Sequence, residues 1–455
     1  MYRKQIDNLN QWIDKGNRKP LILRGARQVG KSTLVRLFAE QLRRPLVEIN
    51  LERHQDFVNT FQQLNLQGIV NLLDTVSGGT PISPDTLLFM DEIQAIPAAI
   101  PALRYFYEEM PELPLLAAGS LMEFTLAAHT FSMPVGRVEY LRMGPMCFTE
   151  FLEALNQPGL ARLICQYRTG DQIPTPAHRR LLDFLRNYFF IGGMPEAVKV
   201  FAQTGRLKDV SEVHNSIIDT YREDLPKYIG SRNMARVRQV FNFAAHHVGK
   251  KVKYSQFSET EKSATIKADI DLLCMAQVLR KVAHSHCNGL PVQAESNDKI
   301  YKLLCLDVGL MNALVGLNWQ SIAQMEQSKL VNEGAIAEQF VGQHLLDMLA
   351  GTANQELNYW LREGRSVNAE VDYVLGMNGQ IIPIEVKSGA AGALKSLHQF
   401  VGDKNVPQAI RFYTSLPAQQ QVTTRVRKAN SQVEVSYNLL SLPLYLVEAL
   451  PNLYA

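Results

Sequence analysis

The segment LILRGARQVGKSTLVRLFAEQL, residues 21–42, places a glycine-rich loop between an apolar run and a stretch with helical spacing. Residues 25–32 match the pattern G-x-x-x-x-G-K-[ST] at every fixed position. The apolar residues 21–23 predict a strand, and residues 33–42 predict a helix. A strand, a glycine-rich loop and a helix in this order predict an α/β fold with a phosphate-binding loop.

This loop has the chemistry needed to bind a nucleoside triphosphate such as ATP. Its backbone N–H groups and the N-terminus of the following helix would surround phosphate oxygens. Lys31 is expected to reach the β- and γ-phosphates, and the Ser32 hydroxyl to ligate Mg²⁺. The predicted nucleotide-binding residues are Gly25, Ala26, Arg27, Gln28, Val29, Gly30, Lys31, Ser32 and Thr33.

A pair of acidic residues follows another apolar run in the segment TLLFMDEIQ, residues 86–94. Such a run is typical of a strand in a parallel sheet, and α/β sheets bind ligands at the carboxyl ends of their strands. Asp91 is therefore predicted to hold Mg²⁺, and Glu92 to polarise the attacking water. The alternative is that both acids only cap the helix that follows.

Two further residues are candidates for the same site. Ser120 ends the apolar strand in LPLLAAGSLMEF, residues 113–124, where its hydroxyl would hydrogen-bond the γ-phosphate or the attacking water. A simple helix cap is the alternative for Ser120. Arg137 follows a glycine and would act on the phosphate bound by a neighbouring subunit, with a surface ion pair as the alternative.

Length and composition are those of a soluble globular protein with several domains. The chain has 455 residues, of which 46% are hydrophobic and 20% are charged, and its formal net charge is +3. This charge neither requires nor excludes a nucleic-acid partner. Five scattered cysteines predict a reducing compartment. We expect a cytoplasmic protein, since no signal peptide and no apolar run of ~20 residues is visible.

The middle of the chain predicts two mainly helical domains. Residues 148–232 have helical periodicity and are predicted to form a lid over the nucleotide. From residue 233 the order helix, short segment, helix and hairpin is that of a winged helix, with residues 263–276 as recognition helix. Because acids are mixed with its lysines, a winged helix that binds protein is the alternative. The lysines that would contact DNA phosphates are Lys250, Lys251, Lys253, Lys262 and Lys267.

The segment AEVDYVLGMNGQIIPIEVKSG, residues 369–389, predicts a β-hairpin with an Asn-Gly turn. A helix, a strand and then this hairpin follow in the order of the PD-(D/E)XK nucleases, which the segment resembles. In such a site, carboxylates ligate Mg²⁺ and a lysine steadies the attacking hydroxide. The predicted metal ligands are Glu338, Asp372 and Glu385, and the predicted catalytic residues are Asp372, Glu385 and Lys387.

Two further points concern this predicted site. The helix after the hairpin would turn Lys395 and Gln399 toward it. The alternative to cleavage is a nuclease fold used only for binding, in which the acids and Lys387 form an ion-pair network, because buried acids without partners would be costly.

Several segments together resemble the prokaryotic AAA-type P-loop ATPases that carry a C-terminal domain of unknown function. These are LRGARQVGKSTL, FMDEIQ, AAGSLMEF, GRVEYLRMGPMCFTEFL and YFFIGGMPEAV. The resemblance covers essentially the whole chain and implies ATP hydrolysis with Mg²⁺ and a homo-oligomer, with a hexameric ring as one arrangement. It assigns Lys31, Ser32, Asp91 and Glu92 by position, and then Ser120 and Arg137.

The same resemblance implies an order of domains along the chain. It predicts an AAA-type ATPase core in residues 1–147, a helical lid in 148–232, a winged-helix-like domain in 233–318, and an α/β/α restriction-endonuclease-like domain in 319–455. The preferred interpretation is an ATP-hydrolysing protein that acts on DNA. Its C-terminal domain would bind DNA, and two forms of this interpretation stay open, one with and one without cleavage of the DNA. The alternatives are an ATP-dependent switch that binds protein partners, and a nuclease that uses the ATPase only for loading.

Overall fold

The structure is a computed structural model that describes residues 1–63, 65–120, 122–127, 134, 136–224, 233–317, 333–350, 356–363, 368–389, 393–428 and 431–454. Two compact units form: an N-terminal unit of residues 2–144 with 275–277, and a C-terminal unit of residues 145–274 and 278–455. Among the described residues, no helix combines the length and apolar character needed to span a bilayer.

The strands are β1 Leu21–Arg24, β2 Leu46–Asn50, β3 Leu87–Asp91, β4 Leu115–Gly119, β5 Glu139–Arg142, β6 Leu279–Ser285, β7 Ser296–Cys305, β8 Asn358–Arg362, β9 Ala369–Met377, β10 Gln380–Val386, β11 Gln408–Tyr413, β12 Ala418–Lys428 and β13 Ser431–Pro443. The α-helices are α1 Gln5–Ile13, α2 Lys31–Leu42, α3 Val58–Gln62, α4 Leu66–Val76, α5 Ala99–Glu109, α6 Met122–Ala127, α7 Phe148–Ala154, α8 Pro158–Gln166, α9 Thr175–Ile191, α10 Pro195–Thr204, α11 Leu207–Asp224, α12 Met234–His246, α13 Ser263–Met275, α14 Val308–Leu314, α15 Glu333–Leu349, α16 Lys395–Lys404 and α17 Leu450–Leu453.

The N-terminal unit contains a five-stranded parallel sheet in the order β2-β3-β4-β1-β5. Strands β3 and β4 are buried along their whole length, which explains why their sequences are continuous apolar runs. The predicted α/β fold is therefore confirmed for this unit. Because β4 lies between β1 and β3, the carboxyl ends of these three strands meet at one edge of the sheet.

One apolar core supports that edge. It joins residues of β2, β3 and β4 with the apolar faces of α4 and α5, including Leu88, Met90 and Phe106, each almost fully buried. Burial of such side chains stabilises the sheet by roughly 1.5–3 kcal/mol each. The loops that follow the strands are thus attached to a rigid layer, which fixes the side chains they carry.

The C-terminal unit is built on an eight-stranded mixed sheet in the order β12-β13-β11-β10-β9-β8-β6-β7. Its centre is the predicted hairpin β9–β10, which turns at Asn378 and Gly379 with φ values of 45° and 73°. These positive φ values are those of a two-residue hairpin turn, for which Asn-Gly is the favoured pair. Strand β11 pairs with β10 in parallel. Helix α16 connects these two strands along the chain and packs on β9.

The hairpin β6–β7 extends this same sheet, because β6 pairs in parallel with β8. Residues assigned from sequence to a winged-helix-like domain and to a nuclease-like domain therefore share one sheet and one compact unit. The predicted internal boundaries, at 232 and 318, adjoin residues outside the described ranges. The division of this unit into three domains stays a prediction.

Candidate nucleotide site and C-terminal acidic cluster

The glycine-rich loop between β1 and α2 has a backbone that its sequence requires. Gln28 and Gly30 have positive φ values of 65° and 93°. A Cβ atom at Gly25 would lie 2.3 Å from the carbonyl oxygen of Met143, so a larger residue does not fit there. Arg3 supports the loop, since its Nη1 donates to the carbonyl oxygen of Val29 at 2.8 Å. Nothing in the pattern of the loop itself pointed to Arg3.

Lys31 is buried at the start of α2 and bonds to the loop itself. Its Nζ donates to the carbonyl oxygens of Gly25 and Ala26, each at 2.9 Å. Burial lowers the pKa of Lys31 to about 8, although the charges of Glu92 and Asp91 oppose this shift. A lysine held by neutral carbonyl groups keeps its charge available for an anion such as a phosphate.

The predicted Mg²⁺ ligands lie next to one another. The Ser32 hydroxyl donates to Asp91 Oδ2 at 2.8 Å, which joins the start of α2 to the end of β3. Burial raises the pKa of Asp91, and the hydrogen bond from Ser32 opposes that rise. A hydroxyl and a carboxylate beside a phosphate-binding loop are the oxygen ligands that Mg²⁺ uses in such sites, so these residues fit the cation.

Glu92 is oriented by two donors that reach the same oxygen atom. Gln94 Nε2 and the Ser120 hydroxyl donate to Glu92 Oε2 at 2.5 and 3.2 Å. Gln94 Oε1 is buried and has no hydrogen-bond partner within the described residues. Sequence reasoning missed Gln94, because nothing in DEIQ shows that a 3-10 turn at Ile93–Ala95 brings its amide back to Glu92.

Arg137 lies on the surface of the N-terminal unit. Its Nε donates to Glu108 Oε1 at 3.0 Å, and its guanidinium lies 5.8 Å from the ring centroid of Tyr107. The isolated chain therefore has the surface ion pair that the sequence left as the alternative. A role toward a neighbouring subunit stays a prediction.

The predicted acidic residues of the C-terminal unit surround a lysine that sequence reasoning missed. Lys302 of β7 is only 1% exposed, and its Nζ lies 2.9 Å from Glu338 Oε1, 2.5 Å from Glu370 Oε1 and 3.8 Å from Asp372 Oδ1. We call Lys302, Glu338, Glu370 and Asp372 the Lys302 cluster. The signal was present in the sequence, since Lys302 interrupts the apolar run of β7 at a position where a surface charge is not expected.

Glu385 and Lys387 form a second ion pair beside the Lys302 cluster. Lys387 Nζ lies 2.6 Å from Glu385 Oε1, and the backbone N–H of Val386 donates to Asp372 Oδ2 at 2.8 Å. Burial raises the pKa of Glu385 to about 7, and burial also raises that of Glu338 to about 8. Glu385 Oε2 is buried and has no hydrogen-bond partner in the part of the chain that the structure describes.

A divalent cation in this part of the C-terminal unit would need Glu338, Asp372 and Glu385 as its ligands. Glu385 Oε2 is a free acceptor, as a ligand atom would be. However, no group of three or more His, Cys, Asp and Glu side chains among the described residues is arranged to hold a metal ion. The physical reason is that the ammonium of Lys302 contacts both Glu338 and Asp372 and takes the place that a metal ion would need. As they stand, the acids of this unit that the structure describes do not fit a metal ion.

One expectation about the neighbouring helix is wrong. Gln399 of α16 was expected to face the acidic residues together with Lys395. Its Nε2 instead donates to Asp403 Oδ1 and to the carbonyl oxygen of Arg427, both at 2.9 Å. The amide therefore ties α16 to β12, because a buried amide must satisfy its donors locally.

Three segments of the chain match known sequence families. Residues 17–152 match a family described as an AAA domain. Residues 182–321 match a domain of unknown function (DUF8612), and residues 333–433 match another domain of unknown function (DUF4143). No curated protein matches the sequence.

The chain also has a low similarity to several solved structures. The Aeropyrum pernix ORC2 protein is 10% identical over 71% of this chain and 96% of its own, with a TM-score of 0.33. The Thermotoga maritima RuvB Holliday junction branch migration motor is 15% identical over 62% and 90%, with a TM-score of 0.30. C. elegans PCH-2 is 16% identical over 43% and 56%, with a TM-score of 0.25. These scores are too low to carry an argument.

The family match covers the segment in which the nucleotide-site residues were found. It spans the loop that contains Lys31 and Ser32, the strand that ends at Asp91, and Ser120. The match thus covers the segment that carries these residues, and the role of each residue stays a prediction. The N-terminal unit is accordingly that of an AAA P-loop ATPase.

Proposed function

We propose that this protein is an Mg²⁺-dependent, ATP-hydrolysing AAA protein that assembles with copies of itself and acts on DNA through its C-terminal unit. The observation that carries the ATPase part is the arrangement of Lys31, Ser32, Asp91 and Glu92 at one edge of a parallel sheet. Bound at Ser32 and Asp91, Mg²⁺ would neutralise charge that develops on the β- and γ-phosphates.

Each side chain has a distinct task in this proposal. Lys31 exchanges the carbonyl oxygens of Gly25 and Ala26 for phosphate oxygens when ATP binds. Glu92 orients the attacking water through Oε1, since Oε2 already accepts from Gln94 and Ser120. Ser120 is close enough to Glu92 to contact the same water or the γ-phosphate.

The proposal for DNA rests on exposed charge in the segment before and within α13. Lys250 and Lys253 precede the helix, and Lys262 and Lys267 lie at its start; all four are exposed. The elements α12, α13 and the hairpin β6–β7 follow one another in winged-helix order. Lysines in this arrangement would neutralise phosphates, which makes binding dependent on salt.

The first experiment measures ATP hydrolysis by the full chain without DNA and with duplex, single-stranded or branched DNA, across a salt series. We expect one form of DNA to accelerate hydrolysis at low salt and to lose this effect as salt rises. Hydrolysis that no form of DNA changes, even at low salt, would remove DNA from the proposal while leaving the ATPase intact.

Matched lysine variants locate the DNA contact. The double substitution Lys262→Gln and Lys267→Gln should reduce the salt dependence of DNA binding by about one phosphate contact for each lysine. The control is Lys199→Gln with Lys208→Gln, which removes two exposed lysines from α10 and α11. If both pairs weaken binding equally, the effect is one of net charge and not of α13.

A mixing experiment tests the self-assembly and the role of Arg137. Arg137→Ala and Lys31→Ala are both expected to be inactive when purified separately. When they are mixed in equal amounts and allowed to exchange, some sites contain Lys31 from one chain and Arg137 from the next. Random assembly would restore about a quarter of the wild-type rate per chain. Full activity of Arg137→Ala alone would assign this residue to its surface pair with Glu108.

A second candidate function is an ATP-dependent switch that binds a protein partner, with no cleavage by the C-terminal unit. It is favoured by the pairing of charges on α13 and in the Lys302 cluster, where Arg236 lies 2.5 Å from Asp269 and Lys302 contacts three acids. Partners that co-purify only with ATP and survive nuclease treatment would support it. Loss of every partner after nuclease treatment would return the DNA proposal.

A further inference from the structure

The Lys302 cluster places a cation inside the C-terminal sheet. The Nζ of Lys302 contacts carboxylates from two elements: Glu338 of α15, and Glu370 and Asp372 of β9. The ring centroid of Tyr359 also lies near the same Nζ, at 5.0 Å. Carboxylates gathered in a partly buried place repel one another unless a positive charge lies between them. In this protein a side chain of the same unit supplies that charge.

The surroundings of Glu338 are shaped around this contact. The Tyr373 hydroxyl donates to the carbonyl oxygen of Glu338 at 2.8 Å, which fixes the backbone that carries the acid. A Cβ atom at Gly249 would lie 2.4 Å from Glu338 Oε2, so a larger residue there would push the carboxylate away from its present position. Gly249 and Lys302 both come from the segment before α15, and both lie next to the Glu338 carboxylate.

We propose that Lys302 is a built-in counter-ion that occupies the position a divalent cation would need, so that these acids bind no metal unless Lys302 is removed. The ammonium meets the same carboxylates that a cation would use, and a divalent cation placed between Glu338 and Asp372 would be close to a second positive charge. The inference concerns the acids alone and holds whether or not the protein acts on DNA.

Binding of Mn²⁺ to the full chain tests this proposal directly. Free Mn²⁺ is measured by electron paramagnetic resonance without nucleotide, and every protein carries Asp91→Asn so that the nucleotide site does not contribute. We expect no Mn²⁺ site that depends on Asp372 when Lys302 is present. Lys302→Met should create such a site. Its protein should bind Mn²⁺ at least about tenfold more tightly than the Lys302-containing protein does, because ligand charge sets affinity for such cations. Adding Asp372→Asn should abolish it.

Thermal unfolding of the same proteins provides a second readout. Mn²⁺ should raise the melting temperature of Lys302→Met and leave that of the Lys302-containing protein unchanged. Should Lys302→Met fail to fold, the double variant Lys302→Met with Glu370→Gln removes one negative charge along with the positive one and keeps Glu338 and Asp372, the two acids between which the cation would lie. Mn²⁺ binding that depends on Asp372 while Lys302 is present would overturn the proposal. So would a folded Lys302→Met protein, single or double, that gains no Mn²⁺ site.

Discussion

Two buried lysines, Lys31 in the N-terminal unit and Lys302 in the C-terminal unit, lie at the centres of the two candidate sites. The Nζ of Lys31 donates to two carbonyl oxygens, whereas that of Lys302 contacts three carboxylates. A lysine bound by neutral groups keeps an attraction for an incoming anion. A lysine surrounded by acids is already neutralised. The partner of a buried lysine, and not its burial, therefore separates a ligand-binding residue from a counter-ion.

The pKa values of the two ammonium groups move in opposite directions for this reason. Burial lowers the pKa of Lys31 to about 8, since the charges of Glu92 and Asp91 only partly oppose it. Burial would also lower the pKa of Lys302, but the charges of Glu338, Asp372 and Glu370 outweigh it and raise that pKa. A new negative charge nearby would therefore stabilise the ammonium form of Lys31 more than that of Lys302.

The largest effect is expected for Lys31→Ala. Because Lys31 is the buried ammonium that would contact the β- and γ-phosphates in this proposal, ATP hydrolysis should fall by about 10³-fold or more. Phosphate release under saturating ATP measures it. Lys302→Met is the matched control, since it removes a buried lysine from the other unit and should leave hydrolysis without DNA within a few-fold of wild type. Equal losses in both variants would contradict the distinction between the two lysines.

The next effect concerns stability. Lys302→Met leaves Glu338, Glu370 and Asp372 without their counter-ion, which should cost the C-terminal unit about 3 kcal/mol, the lower end for a broken buried pair because the Glu370 side chain is 36% exposed. Urea unfolding followed in the C-terminal unit measures this loss. Lys302→Met combined with Glu338→Gln should recover part of it, because one uncompensated charge is then absent. If the double variant is less stable than the single one, Lys302 acts through packing and not through charge.

How far the sequence reached also differs between the two sites. At the nucleotide site, fixed motif spacing and the ends of apolar strands predicted Lys31, Ser32, Asp91 and Glu92. This works because a parallel sheet brings the loops that follow its strands to one edge. At the C-terminal site the hairpin and its Asn-Gly turn were predicted from local pattern. Lys302 was not, since it lies 70 residues before Asp372 and meets it only because β6–β7 joins the sheet beside β8.

A smaller effect is expected from pH on the affinity for ATP. The ammonium form of Lys31 binds phosphate, so its pKa rises when ATP is bound. Affinity should therefore be constant below pH 8 and fall as pH rises through about 8, by at most about tenfold per pH unit. Binding of a fluorescent ATP analogue without Mg²⁺ from pH 6.5 to 9.5 would measure it. Lys31→Met should bind weakly with no such dependence; an identical decline in this variant would assign the pH effect to another group.

The smallest effect tests whether Gln94 positions Glu92. Gln94→Leu keeps the approximate size of the side chain and removes the donor to Glu92 Oε2, so the carboxylate rotates more freely and kcat should fall about 3–10-fold. KM for ATP should stay unchanged, because in the proposal Gln94 acts on the nucleotide only through Glu92. A raised KM at constant kcat would instead make Gln94 a nucleotide contact.

Gly119 offers an independent route to the same position. A Cβ atom there would lie 2.3 Å from Gln94 Oε1 and 2.6 Å from Met122 Cγ, so Gly119→Ala should displace both side chains while the Gln94 amide remains present. We expect Gly119→Ala to lower kcat as Gln94→Leu does. The two substitutions together should do little more than either alone, since both act through one hydrogen bond. Additive losses would show that Gly119 and Gln94 support the site separately.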